Sequence, residues 1–288
     1  MTAMAKNVMQ TIEYEPLSDA LGVRVLNLDL TKPMSNSEVE VLKLLLAEHC
    51  VIYFQNQNLD EDQQASFGQY FGTLKQNLRN YQATRHPAIM YITNEVKDGV
   101  LQGALPDGEM FFHSDMCYLE SPAKASILFG INIPSTGGDT LFANMFTAYE
   151  TLPDEIKKEI LNKKAINSYD PGKSNNTVSR YNTEYKSETE MSFAQPMVFS
   201  HPQTGKKSLY VNRVMTEKVV GMSSEDSQAL LEKLFIHQEQ EHFVYKHKWK
   251  PGDLLMWDNR TTLHARTDFD ATELRKLRRV TVSGEPLG

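Results

Sequence analysis

Residues 251–266 read PGDLLMWDNRTTLHAR, which places a turn, an apolar run, a polar cluster and a histidine in direct succession. Pro251 and Gly252 predict a turn, because this pair interrupts regular structure. The largely apolar run that follows, residues 253–257, is typical of a short buried strand. The stretch therefore predicts a core strand that ends in polar groups, with His264 directly beyond it.

Short strand-like runs of the same kind recur along the chain and are separated by turn signals such as Gly137 and Gly138. They lie at residues 51–54, 88–92, 126–131, 140–143, 208–211 and 277–283. Capping residues and helical spacing of apolar side chains predict helices that start at Ser35, Asp60 and Ser223, and one more across 152–160. This pattern predicts a mainly β chain with flanking helices (α+β), built on a jelly-roll or sandwich core.

Length and composition are those of an ordinary globular protein. The chain has 288 residues, of which 40% are hydrophobic, and no repeat or low-complexity block divides it. We therefore expect a single domain over residues 1–288. Two long polar stretches, residues 96–109 and 167–190, are candidates for lid loops, because long loops inside a compact domain often cover a site.

Charge and cysteine content restrict the partners and the compartment. The formal net charge of −7 argues against a nucleic-acid-binding surface. No apolar run is long enough for a membrane span, and the first residues lack the apolar segment of a secretory signal. Cys50 and Cys117 show no pairing pattern, which favours reduced thiols. The expected location is cytoplasmic, with no nucleic-acid or membrane partner.

Two distant segments carry residue types that ligate metals. In a strand, His113 and Asp115 would point to the same side while Ser114 points away. Together with His264 they make two imidazoles and one carboxylate, the facial triad that holds non-haem Fe(II) and leaves coordination positions open. The three residues are therefore candidates for both metal binding and catalysis.

Arg275 and Arg279 are four residues apart near the end of the chain. Within a strand this even spacing places both guanidinium groups on one side of the sheet. An inward-facing arginine needs an anionic partner, since an unpaired buried charge is costly. A carboxylate ligand would supply one. Arg278, offset by one residue, is expected to face solvent.

Taken together, these segments resemble the taurine/2,4-dichlorophenoxyacetate dioxygenase family, and the resemblance covers nearly the whole chain. The residues that carry it are the motifs FHSD at 112–115, PSTGGDT at 134–140, HPQTG at 201–205, GDLLMWDNR at 252–260 leading into His264, and the arginines beyond. The resemblance implies a double-stranded β-helix (jelly-roll, cupin-like) core and an Fe(II)- and 2-oxoglutarate-dependent dioxygenase.

The resemblance also implies roles for individual residues. His113, Asp115 and His264 would bind Fe(II), Thr140 and Arg275 would bind the distal carboxylate of 2-oxoglutarate, and Arg279 would hold an anionic group of the substrate. O2 is the second co-substrate, and the products are succinate, CO2 and a hydroxylated or cleaved substrate. Because Asp115 is present, hydroxylation is favoured over the halogenation carried out by relatives that lack this carboxylate. Family members are often dimers or tetramers, so a homo-oligomer is expected.

Departures from the family pattern concern the substrate. Asn77 stands where the taurine enzyme has a histidine, and Glu109 stands where it has an asparagine. A carboxylate at Glu109 would repel a sulfonate, which disfavours taurine itself. Asn77, Asn94, Glu109 and Arg279 are the candidate substrate-binding residues. The expected substrate is a small organic anion such as a carboxylate, an aryloxyalkanoate or a sulfonate.

Two other functions fit part of the pattern. Two histidines and a carboxylate also suit a catalytic zinc ion, so a zinc hydrolase is one alternative. A zinc hydrolase needs a general base near the metal, and this alternative leaves the paired arginines without a role. The second alternative is a non-catalytic β-helix protein that binds a small acid.

Overall fold

The computed structural model describes residues 12–76, 84–104, 111–169 and 191–287. Its strands are β1 (Tyr14–Pro16), β2 (Val23–Val25), β3 (Val51–Phe54), β4 (Met90–Thr93), β5 (Val96–Lys97), β6 (Val100–Leu101), β7 (Ala123–Asn132), β8 (Thr140–Asn144), β9 (Lys164–Tyr169), β10 (Met191–Pro196), β11 (Val198–Ser200), β12 (Lys207–Leu209), β13 (Thr216–Val219), β14 (Val244–His247), β15 (Leu254–Asp258), β16 (Thr262–Arg266) and β17 (Lys276–Ser283). Its α-helices are α1 (Asn36–His49), α2 (Glu61–Gln69), α3 (Met145–Glu150), α4 (Asp154–Ile160) and α5 (Ser224–Gln238).

Two sheets form the core and face each other. Among the described residues, the larger sheet has seven strands in the order β1-β2-β3-β15-β7-β17-β4, and the smaller has three in the order β14-β8-β16. Neighbours are antiparallel apart from β2 and β3. Phe142 of β8 packs on Trp257 of β15, with ring centroids 5.2 Å apart, inside one buried cluster. The predicted mainly β jelly-roll core is confirmed.

Along the strands of the larger sheet, side chains point alternately to an inner and an outer face. Leu255 and Trp257 belong to the cluster shared with the smaller sheet, whereas Leu254 and Met256 belong to a cluster with the helices α1 and α2. This follows from the period of two residues in a strand. The helix α1 begins with the predicted capping box, in which Ser35 and Glu38 satisfy each other's backbone groups. The helices thus cover the outer face and leave the inner face to the site.

The expectation that Arg278 faces solvent is wrong. Its side chain does point away from the inner face, as its offset predicts, but the helix α2 covers that side of the sheet. The Arg278 guanidinium is buried and donates to Gln64 Oε1 at 2.7 Å, Leu59 O at 2.6 Å and Asp60 O at 2.9 Å. These oxygens satisfy the charge, so Arg278 joins the helix to the sheet.

Other differences concern the ends of elements and strands that sequence patterns did not show. The second predicted helix ends at Gln69 instead of Gly72, and the strand predicted at 88–92 spans Met90–Thr93. The strands β9 and β10 and the strand β16 around His264 were not predicted, since polar residues interrupt their apolar pattern. Of the first candidate lid, residues 96–101 include the hairpin β5–β6, and residues 105–109 lie outside the described part. Of the second, residues 170–190 lie outside it.

In the described part of the chain, none of the helices is both long and apolar enough to cross a bilayer.

Candidate active site

His113, Asp115 and His264 lie together between the two sheets. One donor atom from each can be chosen so that all three lie within 4.8 Å of one another, and all three residues are buried. His264 is the central residue of β16. The His113 and His264 backbones exchange two hydrogen bonds, at 3.0 Å and 2.9 Å, which place the two imidazoles side by side.

His113 and Asp115 do not lie in one strand, so the predicted strand geometry is wrong here. His113 makes an isolated bridge to His264 instead of lying in a regular strand, and the chain turns at Asp115. The next residue, Met116, has a φ of 59°, a left-handed conformation that reverses the backbone. Asp115 therefore reaches the two histidines by a turn, although the strand argument predicted the same grouping.

The state of the two imidazoles suits metal binding. Nδ1 of His113 lies 2.9 Å from the carbonyl oxygen of Phe111, to which it donates, so Nε2 carries the free lone pair. Nε2 of His264 lies 4.0 Å from Asp115 Oδ2. Burial, with a contribution from His113, lowers the pKa of His264 to about 3. His264 is therefore neutral at physiological pH, as a metal ligand must be.

Asp115 is held as a carboxylate. Ser126 donates to its Oδ2 at 2.5 Å, and Arg279 Nη1 lies 3.3 Å from its Oδ1. Burial alone would raise the pKa of Asp115, but Arg279, His264 and His113 together lower it below its usual range. Two imidazoles and one carboxylate are the donor set of a non-haem Fe(II) site, so the residues fit that metal.

Arg275 is a buried cation that forms no ion pair with a carboxylate of the described residues. It lies directly before β17 and is 6% exposed. Its Nε and Nη2 both donate to the carbonyl oxygen of Gly138, at 3.1 Å and 3.0 Å, and none of the described carboxylates pairs with it. Burial, reinforced by Arg266 and opposed by Asp139, lowers the pKa of Arg275 to about 9. An anionic ligand would remove this electrostatic penalty.

Thr140 lies two residues beyond Gly138, at the start of β8, and is buried. Its hydroxyl oxygen accepts a hydrogen bond from Trp249 Nε1 at 2.9 Å. An indole N–H can only donate, so the hydroxyl hydrogen of Thr140 remains for another acceptor. Arg275 and Thr140 thus offer a cation and a hydroxyl donor in the same region of the fold.

The candidate substrate-binding residues divide into two described and two undescribed positions. Arg279 on β17 is buried, and its Nε has no hydrogen-bond partner among the described residues. The Asn94 amide donates to the carbonyl oxygens of Ala271 and Glu273 and accepts from Arg275 N at 2.9 Å. Asn94 therefore supports the segment that carries Arg275, and its contact with substrate stays a prediction. Asn77 and Glu109 lie outside the described residues.

Sequence reasoning missed three residues that contact the candidate metal ligands or the partners of those ligands. Ser126, Asn259 and Trp257 form a hydrogen-bonded group that ends on Asp115. Trp257 and Asn259 were visible in the motif at 252–260 but had no assigned role. Ser126 gave a weaker signal, a single hydroxyl in the apolar run of β7.

Comparisons with known proteins agree with this geometry. The family model described as "Taurine catabolism dioxygenase TauD, TfdA family" matches residues 13–281. An alkylsulfatase of Acinetobacter baylyi is 30% identical, over 99% of this chain and 89% of the relative. An alpha-ketoglutarate-dependent 2,4-dichlorophenoxyacetate dioxygenase of Burkholderia sp. (strain RASC) is 32% identical, over 95% of each chain.

Solved structures show the same likeness. The crystal structure of AAD-2 in complex with Mn(II) and N-oxalylglycine superposes with a TM-score of 0.82 and 33% identity, covering 96% of this chain and 99% of that one. Family membership decides against the zinc hydrolase and the non-catalytic binder. The family uses Fe(II), 2-oxoglutarate and O2, for which the His113, Asp115 and His264 cluster provides a fitting donor set. The chain belongs to the TauD/TfdA family and is an Fe(II)- and 2-oxoglutarate-dependent dioxygenase.

Proposed function

We propose that the protein hydroxylates or oxidatively cleaves a small organic anion that is held beside the iron by Arg279. In this proposal His113, Asp115 and His264 bind Fe(II), and Arg275 and Thr140 bind the distal carboxylate of 2-oxoglutarate. When bound, iron and 2-oxoglutarate supply the oxidation: O2 is consumed, 2-oxoglutarate is converted to succinate and CO2, and one oxygen atom enters the substrate.

The observation that carries the proposal is the ion pair between Arg279 and Asp115. The Arg279 guanidinium lies 3.3 Å from a carboxylate that also belongs to the metal cluster. A cation bound to Asp115 would draw on the same negative charge that balances Arg279. The buried guanidinium would then require a second anion next to the metal, and an anionic substrate satisfies this need.

Lys75 adds a second positive charge near this position. Burial and the nearby charge of Arg279 lower the pKa of Lys75. Two cations that repel each other favour a ligand of opposite charge between them. Relatives named for alkyl sulfates and for 2,4-dichlorophenoxyacetate act on compounds with sulfate or carboxylate groups. We propose the same class of substrate here.

The substrate class is tested with matched charged and neutral compounds. We expect succinate release with 2,4-dichlorophenoxyacetate, hexyl sulfate or a related anion, and none above background with the corresponding methyl ester or alcohol.

In Arg279→Gln the KM for the accepted anion should rise by about thirtyfold or more, since removing one partner of a buried charge pair costs about 2–5 kcal/mol. Lys276→Gln is the control, because Lys276 pairs with Glu95 at 2.6 Å instead. Equal turnover of the neutral compounds would contradict the proposal.

The Trp249–Thr140 hydrogen bond supports a donor role for Thr140. Since Thr140 Oγ1 accepts from the indole, its own hydrogen can be donated to a carboxylate. We expect Trp249→Phe to weaken binding of N-oxalylglycine by about five- to tenfold, the value of one hydrogen bond of about 1 kcal/mol or slightly more.

Oxalate provides the control for this prediction, because it has the chelating head of N-oxalylglycine but no distal carboxylate. Calorimetry with the Mn(II)-loaded protein should show oxalate binding equally to wild type and Trp249→Phe. Thr140→Val should weaken N-oxalylglycine binding selectively as well. A parallel loss of oxalate binding in Trp249→Phe would show general damage to the site and refute the donor role.

We also propose one catalytic domain over residues 1–288, assembled as a homodimer or homotetramer, in a cytoplasmic compartment and without nucleic-acid partners. The two cysteines support a reducing compartment. Cys50 and Cys117 are buried free thiols, and burial raises the pKa of each to about 12, so both remain protonated and unreactive. Light scattering of the purified protein measures the assembly directly.

A further inference from the structure

Trp257, Asn259 and Ser126 form a continuous hydrogen-bond chain that ends on Asp115. Trp257 Nε1 lies 2.9 Å from Asn259 Oδ1, Asn259 Nδ2 lies 3.0 Å from Ser126 Oγ, and Ser126 Oγ lies 2.5 Å from Asp115 Oδ2. Each of the three residues is at most 1% exposed. Water therefore has little access to these bonds.

The chemistry of the donors fixes the direction of every bond in this chain. The Trp257 indole nitrogen can only donate, so the Asn259 atom that faces it must be the carbonyl oxygen. The backbone N–H of Asp115 also points to that oxygen, at 3.4 Å. The opposite amide orientation would set an NH2 group against two N–H donors. The amide nitrogen of Asn259 consequently donates to Ser126, and the Ser126 hydroxyl donates to Asp115.

The supporting contacts leave this arrangement little freedom. Ser126 and Trp257 are directly opposite each other on the paired strands β7 and β15. The Asn259 backbone is held on both sides, since its N–H donates to Lys124 O at 3.0 Å and its carbonyl oxygen accepts from Ser114 Oγ at 2.6 Å. Each of these three residues is thus attached to a sheet or to the segment that carries His113 and Asp115.

The same tryptophan also contacts a second ligand. The Trp257 ring packs on the His264 imidazole, with centroids 4.8 Å apart and an interplanar angle of 54°. One side chain therefore contacts the imidazole of His264 with its ring and orients the carboxylate of Asp115 through its N–H. Residues around a metal site that orient its ligands raise the affinity for the metal.

We propose that the Trp257–Asn259–Ser126 chain positions the Asp115 carboxylate for metal binding, with Ser126 as the residue in direct contact. Ser126 holds Oδ2 from one side while Arg279 approaches Oδ1 from the other. These two contacts fix the rotation of the carboxylate. The inference rests on the proposed assignment of Asp115 as a ligand and adds positioning residues to that site.

Mn(II) binding measures the effect without requiring turnover. Calorimetric titration of the full-length metal-free protein should give a Kd for Mn(II) that is about 10- to 100-fold higher in Ser126→Ala than in wild type. Trp257→Phe keeps an aromatic ring at this position but removes the indole N–H, and we expect a severalfold higher Kd. In the double variant Trp257→Phe should add nothing, because the chain is already interrupted at Ser126.

Ser208→Ala is the matched control, since Ser208 is a buried serine that donates to Arg260 O at 3.0 Å and does not contact the ligands. Its Kd for Mn(II) should equal that of wild type even where its thermal stability falls.

If Ser126→Ala does not fold, Trp257→Phe alone decides, and an unchanged Kd would overturn the proposal. A Kd within twofold of wild type in Ser126→Ala, or equal effects of Trp257→Phe in both backgrounds, would also overturn it. Wild-type protein that binds no Mn(II) would overturn the metal-site assignment itself, and the positioning role with it.

Discussion

The variant His264→Ala is expected to lose both iron binding and turnover. In the proposed site His264 supplies one of three metal ligands, and it is the one that lies in the smaller sheet, on β16. A metal ion contributes several kcal/mol of transition-state stabilisation, so we expect kcat/KM to fall by about a thousandfold or more. The direct measurement is an anaerobic optical titration with Fe(II) and 2-oxoglutarate. Wild type should show a weak visible metal-to-ligand charge-transfer band, and His264→Ala should show none.

His237→Ala is the matched control for the loss of an imidazole. Its Nε2 lies 2.9 Å from Ala148 O, at the end of α5, and it belongs to no metal cluster among the described residues. This variant should keep the charge-transfer band while losing about 1 kcal/mol of stability, the value of one hydrogen bond. An unchanged band in His264→Ala would mean that Fe(II) and 2-oxoglutarate bind elsewhere.

Arg275→Met is expected to separate cofactor binding from folding. Loss of the buried cation should raise the KM for 2-oxoglutarate by roughly a hundredfold or more, as expected when one partner of a buried charge pair is removed. The free energy of unfolding of the ligand-free protein should fall by only about 1 kcal/mol, because the Gly138 carbonyl oxygen loses its donors while the cost of burying the guanidinium is removed. Urea unfolding without ligand and steady-state kinetics with 2-oxoglutarate give the two values.

Arg278→Met, three residues further along the chain, is expected to give the opposite result. Arg278 faces α2, where three oxygens accept its hydrogen bonds. Its loss should lower the free energy of unfolding by about 2–4 kcal/mol, since these buried acceptors lose their partner. The KM for 2-oxoglutarate should stay the same. If Arg275→Met destabilised the protein as strongly as Arg278→Met and left KM unchanged, Arg275 would be structural.

Arg278 and Arg279 show what the spacing of residues in a sequence can and cannot reveal. Residue parity in a strand correctly separates Arg279 from Arg278, because successive side chains leave opposite faces of the sheet. Parity does not show what covers each face. The outer face here is closed by α2, which lies more than two hundred residues earlier in the chain, as the separation of 214 between Gln64 and Arg278 shows.

The metal cluster shows a different limit. Residue types and motif context led to His113, Asp115 and His264, but the local backbone was predicted as a strand where the chain turns. Ser126 could not have been identified in this way. Its role depends on contacts with Asn259, 133 residues away, and with Asp115 across two different elements. Such contacts arise from the folded arrangement of β7 and β15, which no local pattern encodes.

The reciprocal backbone hydrogen bonds between His113 and His264 have a consequence for how the enzyme regains activity after it loses iron. These bonds and those around Asp115 join protein groups to one another, so the fold itself orders the proposed ligands. Coordination therefore costs little conformational entropy, because preorganisation has removed most of that term. We therefore expect that iron lost from the site can be replaced without unfolding of the chain. Recovery of activity then depends on the supply of ferrous ion and not on the rate at which the chain refolds.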